Sequence, residues 1–294
     1  MLTGRISTVL AQARSARPQH WRQRVPPLAR WLQTTTHDGP AVTGTNRAET
    51  SLKRFWKFVD VAKVENGFAV TLDNRPLKTP SGNKLHLPQN KRILATLVAT
   101  EWENQDKFLK THALPMTSLV SRAIDAMHDE STRVQVRETL LKYLDTDTIC
   151  FHQEYPDALV ELQKKHWDPI LNWARETFKV EIHTFDSIFS TPQLAETFVK
   201  LDHVMSKLDP WQMAALERAT YSSKSFLIGL ALVLKKITVE EAALASTVEV
   251  SSQIQRWGEV EDSHDVDHQD VRRQLASAAC LLEGSSLSLW KLNT

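Results

Sequence analysis

The repeat of apolar side chains changes near Pro88, and this change limits the possible folds more than any other feature of the chain. Before Pro88, large apolar residues occur at every second position of residues 68–72, which is the period of a β-strand. After it they recur every three or four positions, as on one face of a helix: Leu94, Leu97, Val98 and Trp102. The sequence therefore predicts an α+β fold, with a small antiparallel β-rich region followed by helices.

Turn sequences divide the first region into short strands. Glu65-Asn66-Gly67 separates two runs rich in aromatic and β-branched residues, and Asn-Gly supplies the positive φ angles of a tight hairpin. Further turn sequences occur at Asp73-Asn74 and at Ser81-Gly82-Asn83. These signals predict an antiparallel sheet between about Arg54 and Pro88.

Helix-start signals mark the region downstream. One apolar stripe begins at Pro156 and extends to Trp173. Asp209-Pro210 provides a cap and a first residue for another helix, and Thr238 with Glu241 forms a capping box for a third. Aromatic residues on amphipathic stripes usually face inward, which predicts core packing for four tryptophans: Trp102, Trp167, Trp173 and Trp257.

Composition divides the chain into five segments. They are residues 1–37, a presequence; 38–53, a flexible leader; 54–133, a β-rich N-terminal domain with connecting helices; 134–285, a helical C-terminal domain; and 286–294, a tail. With 41% hydrophobic residues, the chain is able to bury one large core or two smaller ones.

The first segment has the composition of a mitochondrial targeting sequence. Residues 1–37 contain six Arg and neither Asp nor Glu. Arg-rich, acid-free segments that form a basic amphipathic helix are typical of such presequences. We therefore expect a protein of the mitochondrial matrix. Cys150 and Cys280 lie among apolar neighbours, which fits buried free thiols in a reducing compartment.

Charge and hydropathy argue against several functions. The formal net charge is +1, which gives no reason to expect nucleic-acid binding. The longest apolar stretches are far shorter than the roughly 20 residues that cross a bilayer, so we expect no membrane insertion. No glycine-rich phosphate loop or nucleophile motif occurs, so the sequence predicts no cofactor.

Two features of the C-terminal region are candidates for function. His264 and His268 lie four residues apart on one face of a predicted helix, and such a pair can ligate a divalent metal ion. A metal-dependent matrix hydrolase is therefore the alternative function. The second feature is the acidic segment 240–270, which contains nine carboxylates and the single cation Arg256. Its field would attract a basic partner and repel nucleic acid.

A series of short motifs resembles a known family. In chain order, the motifs are Arg54-Phe55-Trp56, Leu72 to Pro80, Ala99 to Trp102 with Gln105, Leu114 to Thr117, Leu144 to Cys150, Leu162-Gln163 with Trp167 to Pro169 and Trp173, and Gln253 to Gly258 with Glu261 and His264-Asp265. Together they resemble the family of mitochondrial ATP synthase assembly factors that act as chaperones of the alpha subunit of the catalytic head. The resemblance extends from Arg54 to about Cys280.

The resemblance implies a monomeric matrix chaperone that catalyses no reaction of its own. Its partner would be the newly imported alpha subunit, which it would protect from aggregation until the beta subunit covers the same surface. The family's acidic C-terminal segment implies a client-binding set here: Glu249, Gln253, Trp257, Glu261 and Asp265. Val250 and Ser251 stand where relatives often have further acids. If the critical carboxylate is one of those, this protein has lost it or its role has moved to Glu249 or Glu261.

We expect the presequence to be removed by cleavage between Arg24 and about Asn46, because the six Arg lie within residues 1–37 and the folded pattern begins only near Arg54. The folded region should stay intact after this cleavage. N-terminal sequencing of the protein isolated from mitochondria tests the prediction. Recovery of matrix protein that still begins at Met1 would contradict it.

Overall fold

The computed structural model of the chain describes residues 53–187, 192–260 and 263–285. Four short strands come first: β1 (Val59–Val64), β2 (Gly67–Leu72), β3 (Arg75–Pro76) and β4 (His86–Pro88). Eleven α-helices follow in the described residues: α1 (Arg92–Glu103), α2 (Pro115–Asp125), α3 (Glu130–Asp145), α4 (Asp157–His166), α5 (Asp168–Phe178), α6 (Ala195–Ser206), α7 (Pro210–Ser223), α8 (Phe226–Val233), α9 (Val239–Ser246), α10 (Val248–Trp257) and α11 (Ser263–Leu281). This order confirms the predicted α+β class. None of these helices combines the length and the apolar character that a membrane span requires.

All strand pairing passes through β2 and is antiparallel. β2 pairs with β1 along its whole length, and its other edge pairs with β3 and β4. Val70 and Leu72 of β2 are buried, as are Leu94 and Val98 of α1. The sheet therefore packs on the first helix through the apolar sets that the two periods predicted.

The positive φ angles of the sheet occur mainly at the predicted turn Asp73-Asn74, rather than at Asn66-Gly67, where the sequence predicted them. Asp73 and Asn74, which connect β2 to β3, have φ angles of 47° and 65°. In the turn Glu65-Asn66-Gly67, only Gly67 has a positive φ, of 153°. A Cβ atom on Gly67 would lie 1.9 Å from the carbonyl oxygen of Leu87, so glycine is required there. The hairpin itself forms as predicted, with β1 antiparallel to β2.

Residues of two of the sequence motifs form hydrogen bonds with each other where α2 begins. The Glu101 carboxylate of α1 accepts hydrogen bonds from the backbone N–H groups of Met116 and Thr117, at 2.6 and 2.8 Å. Trp102 donates its indole N–H to the Thr117 hydroxyl at 3.0 Å. Burial raises the pKa of Glu101, although these hydrogen bonds act in the opposite direction. A carboxylate of one helix thus caps the N-terminus of the next.

The apolar stripe from Pro156 to Trp173 forms two helices, which the periodicity alone did not separate. α4 ends and α5 begins on either side of Trp167. Pro169 has no N–H to donate to a preceding turn, so it lies in the first turn of the new helix. Trp167 is fully buried at this junction and donates its indole N–H to the Ala245 carbonyl at 2.7 Å.

Both of the later helix-start predictions are confirmed. The Asp209 side chain accepts from the Gln212 N–H at 2.8 Å, and the Gln212 side chain accepts from the Asp209 N–H at 2.9 Å. Thr238 and Glu241 form the predicted capping box at α9. These helices begin where the local hydrogen-bonding chemistry indicated.

A continuous apolar core connects the sheet to the last helix. It extends along the chain from Trp56 to Leu282. Every residue of α8 is buried, and this helix packs against α3, α5, α7 and α9. Cys150 is buried and Cys280 is half-buried, both as free thiols. The division of the fold at residue 134 stays a prediction.

The buried Lys91 joins the end of the sheet region to the last helix. Its Nζ atom donates to the carbonyl oxygens of Leu281 and Glu283 and to the Ser285 hydroxyl, at 2.6, 2.7 and 2.7 Å. The carbonyls at a helix C-terminus carry partial negative charge, which favours a cation. Burial nevertheless lowers the pKa of Lys91. This side chain is thus the cap of α11.

Asp147 has a fully buried carboxyl group that accepts hydrogen bonds from two segments of the chain. Its two oxygens accept from the backbone N–H groups of Ile149, at 3.3 Å, and of Leu227, at 3.0 Å. Burial raises its pKa to about 6, against the effect of these hydrogen bonds. The first turn of α8 is thereby fixed to the loop that precedes α4.

We expect Asp147→Asn to change how stability depends on pH. The folded-state pKa of Asp147 is about 6, whereas the pKa of an aspartate in an unfolded chain is about 3.9. Between these values the folded state binds more protons, so Asp147 stabilises less as the pH rises. The full loss, from below about pH 3 to above about pH 7, is roughly 3 kcal/mol, at about 1.4 kcal/mol per pKa unit. Asparagine does not titrate and has no such loss.

Urea unfolding at about pH 4 and about pH 7 measures this difference. The free energy of unfolding of the wild type, relative to the variant, should be lower at about pH 7 than at about pH 4 by about 2 kcal/mol, because part of the loss already occurs below pH 4. Asp186→Asn, which changes an exposed carboxylate, is the matched control and should show no such dependence. If wild type and Asp147→Asn differ equally at both pH values, the pKa of Asp147 is not raised.

Candidate functional site

One face of α10 carries three of the residues predicted to bind a partner. Glu249, Gln253 and Trp257 are four residues apart and therefore lie along the same side of the helix. With Pro156 and Leu159 at the start of α4, they line a groove of about 300 Å³. We call this surface the α10 groove.

The local sequence explains how the groove is positioned. Val248 and Ser252 are the buried residues of α10, and the helix packs against α4. α10 ends at Gly258, whose φ of 86° is a conformation that glycine adopts without strain. Trp257 is therefore the last helical residue, and its indole has no following helical turn to pack against.

Two aromatic side chains at this site are exposed rather than buried. Trp257 is 71% exposed and Tyr155 is 69% exposed. The Arg256 guanidinium lies 5.1 Å from the Trp257 ring centroid and 5.8 Å from the Tyr155 ring centroid. Exposed cation–π contacts of this kind contribute about 0.5–1 kcal/mol each. The arginine thus orders both rings at the surface.

The prediction that four tryptophans pack in the core is confirmed for two and wrong for one. Trp167 and Trp173 are buried. Trp102 is half-buried, with its ring centroid 4.9 Å from that of Trp56. Trp257 is exposed because it lies at the end of α10, beyond the last buried residue of that helix.

Seven of the nine carboxylates of residues 240–270 lie within the described residues. They divide into those that have a partner in the chain and those that form no ion pair there. Glu240 pairs with Arg272 at 2.7 Å. Asp270 pairs with Arg273 at 2.6 Å, and Glu241 closes the capping box of α9. Four others are exposed and form no ion pair within the part of the chain that the structure describes: Glu249, Glu259, Asp265 and Asp267. The charge available to a partner is therefore smaller than the sequence count suggests.

The structure brings three of the five predicted client-binding residues into one groove. Asp265 is exposed in the first turn of α11 and does not line the α10 groove. Glu261 lies outside the described residues. The client-binding set predicted from the sequence lacks Arg256 and Tyr155. The adjacent cation and indole of Arg256 and Trp257 were a usable signal, whereas Tyr155 comes from the loop before α4 and only tertiary contact places it here.

Among the described residues, His268 belongs to no group of side chains that could hold a metal ion. His264 and His268 both lie on α11, and His268 is exposed. Across residues 53–187, 192–260 and 263–285, no three His, Cys, Asp or Glu side chains are grouped closely enough to hold a metal ion.

The α10 groove offers carboxylate, amide and aromatic surface, a combination that suits the binding of a protein surface.

The chain is similar to a group of named chaperones. A sequence model of the family described as ATP12 chaperone protein matches residues 53–175. Protein atp12, mitochondrial, of Schizosaccharomyces pombe is 36% identical over 242 residues, which span 79% of this chain and 83% of that protein. Protein ATP12, mitochondrial, of Saccharomyces cerevisiae is 32% identical over 278 residues, spanning 81% and 86%. These names confirm the predicted mitochondrial localisation and give the metal-dependent hydrolase no support.

Solved structures have the same fold. Atp12 from Paracoccus denitrificans superimposes with a TM-score of 0.67 at 28% identity, covering 84% of this chain and 100% of that one. A protein from Agrobacterium tumefaciens superimposes with a TM-score of 0.70 at 31% identity, covering 80% and 86%. With sequence identity above 30% to two mitochondrial relatives over most of their lengths, the chain belongs to the ATP12 chaperone family.

Proposed function

We propose that this protein is an assembly chaperone of the mitochondrial ATP synthase that binds the unassembled alpha subunit in the matrix. Membership of the ATP12 chaperone family supports a chaperone role. The ordered motifs that resemble the alpha-subunit chaperones support the choice of client. The α10 groove is the contact surface, and binding there keeps the subunit from aggregating before it pairs with beta.

The exposure of Trp257 is the observation that carries this proposal. Burying apolar surface contributes about 25 cal/mol per Å² to stability, and an indole that is 71% exposed forgoes most of that contribution. Trp, Tyr and Arg are the residue types that most often dominate the binding energy of protein interfaces. Trp257, Tyr155 and Arg256 place all three types at one edge of the α10 groove.

The unassembled alpha subunit requires a partner that covers its apolar surface. A subunit that buries large apolar faces in a hexamer exposes those faces while it is alone. An ordered aromatic edge can cover apolar surface of this kind. The exposed carboxylates Glu249 and Glu259 would at the same time attract basic residues of the client, mainly by raising the rate of association.

We also propose that the free protein is monomeric and catalyses no reaction. The α10 groove is lined by side chains that bind through packing, hydrogen bonds and charge. A chaperone of this kind acts by occupying a surface, so its effect should depend on its molar ratio to the client. Release would then follow when the beta subunit competes for the same surface.

Trp257→Ala should weaken binding of the alpha subunit by about 2 kcal/mol, or roughly 30-fold in Kd, because it removes a central aromatic contact. Thermal stability should change little, since the side chain is exposed. Glu249→Lys should slow association, most strongly at low salt. The measurements are the suppression of alpha-subunit aggregation and the Kd at several salt concentrations.

The matched controls are Val199→Ala and Glu176→Lys. Val199 is an exposed apolar residue of α6, and Glu176 is an exposed carboxylate of α5. Both controls should protect the alpha subunit as well as the wild type does. Should the folded Trp257→Ala and Glu249→Lys proteins also protect it fully at every salt concentration, the α10 groove is not the client site.

A further inference from the structure

A second exposed groove lies where the chain enters the sheet. Lys53 and Phe108 form an isolated antiparallel bridge there. The groove has a volume of about 790 Å³. Its lining comes from two short stretches of chain: Arg54 and Trp56 from the first, and Gln105, Asp106, Lys107, Phe108 and Lys110 from the second. We call this surface the basic groove.

Trp56 brings an unpaired donor to this groove. The residue is only 4% exposed, and its indole N–H has no hydrogen-bond partner within the described residues. Buried tryptophans usually find an acceptor for this group, because an unpaired buried donor is costly. The unpaired indole N–H is an observation independent of the groove's charge, and it points to an acceptor supplied by a ligand.

The surrounding contacts hold Trp56 in position. Its ring centroid lies 4.9 Å from that of Trp102, and the Arg54 guanidinium lies 5.5 Å from it. Arg54 donates to the backbone carbonyls of Glu103 and Gln105 at 2.9 and 2.6 Å. Because carbonyl groups are neutral, these hydrogen bonds fix the guanidinium without cancelling its charge. The Glu103 carboxylate forms an ion pair with the same guanidinium, at 3.7 Å.

The groove and its edge are both cationic and apolar. Four cations stand here: Lys53, Arg54, Lys107 and Lys110. Two carboxylates oppose them: Glu103 pairs with Arg54 at 3.7 Å and Asp106 pairs with Lys110 at 3.4 Å, which leaves Lys53 and Lys107 without an ion pair among the described residues. Phe55, in edge-to-face contact with Trp56, is 76% exposed, and Phe108 is 44% exposed. A complementary ligand therefore carries negative charge beside apolar side chains.

We propose that the basic groove binds an acidic segment of a partner polypeptide in which carboxylates flank an aromatic or apolar side chain. One carboxylate oxygen accepts the Trp56 indole N–H, and others face Lys107 and Lys110. The apolar side chain packs on Phe55 and Phe108. A flat anionic membrane fits less well, because it cannot place an acceptor at a donor this deeply buried. The surface shares no residue with the α10 groove and is independent of alpha-subunit binding there.

Two synthetic peptides test this proposal with the full chain. The first is an octapeptide of Glu and Asp with two central Phe residues, and the second has Lys at every acidic position. The acidic peptide should bind and the basic peptide should not, and the affinity should fall as salt rises. In protein labelled with ¹⁵N at tryptophan, the acidic peptide should shift the Trp56 indole signal, which Trp56→Phe identifies by its loss.

Charge reversal provides the matched comparison. Lys107→Glu combined with Lys110→Glu should weaken binding of the acidic peptide at least about tenfold. Lys164→Glu combined with Lys165→Glu, which reverses two exposed lysines of α4, should leave it unchanged. Circular dichroism verifies that both variants are folded.

Several results would overturn the proposal. One is the absence of peptide binding at millimolar concentration, and another is equal affinity for the Lys107→Glu, Lys110→Glu protein. Binding that leaves the Trp56 indole signal unchanged would place the acceptor elsewhere and also reject it. Binding to anionic phospholipid vesicles without binding to the acidic peptide would assign the surface to a membrane instead.

Discussion

The helical part of this protein depends on a helix that has no exposed side. All of α8 is buried, so other helices must enclose it, and α3, α5, α7 and α9 do so. A buried helix also needs partners for the N–H groups of its first turn. Asp147 accepts from Leu227 at 3.0 Å, and Ser225 accepts from Ile228 at 3.0 Å. Enclosure by neighbours and capping from a distant loop are thus required together.

Close packing around α8 requires small side chains at specific points. A Cβ atom on Gly229 would lie 2.7 Å from the Thr220 hydroxyl of α7, so this glycine lets the two helices approach. At the edge of the core the buried Lys91 has a different role, because its side chain caps the C-terminus of α11. Lys91 thereby joins segments that are 190 residues apart along the chain. The sheet, the core and the last helix are therefore parts of one packed arrangement.

The two grooves are built in a similar way but differ in charge. In each, an arginine lies about 5 to 6 Å from an indole ring, Arg256 at Trp257 and Arg54 at Trp56. The α10 groove includes the carboxylate of Glu249, whereas the basic groove is rich in lysine. Electrostatic complementarity gives specificity and association rate more than affinity. Two such surfaces would therefore select different segments of their partners.

Local chemistry determined much of the fold before any tertiary contact was known. The change of period near Pro88 predicted a sheet followed by helices, and the caps at Asp209 and Thr238 predicted where two helices begin. Such signals are reliable because the interacting groups lie within a few residues of one another. The resemblance of the motifs named Glu249 and Trp257, which lie on one face of α10, and their role in client binding stays a prediction.

Tertiary structure decided which side chains are left at the surface. Periodicity predicted that Trp257 is buried, but burial depends on what packs against a helix end. There the Arg256 guanidinium lies over the Trp257 ring, and the ring stays exposed. The burial of Asp147 likewise results from its contact with the first turn of α8. The sequence by itself determined the class of fold, the starts of two helices and the family. The exposed indole, the two grooves and the shifted carboxyl group required the tertiary structure, because each arises from residues that are far apart along the chain.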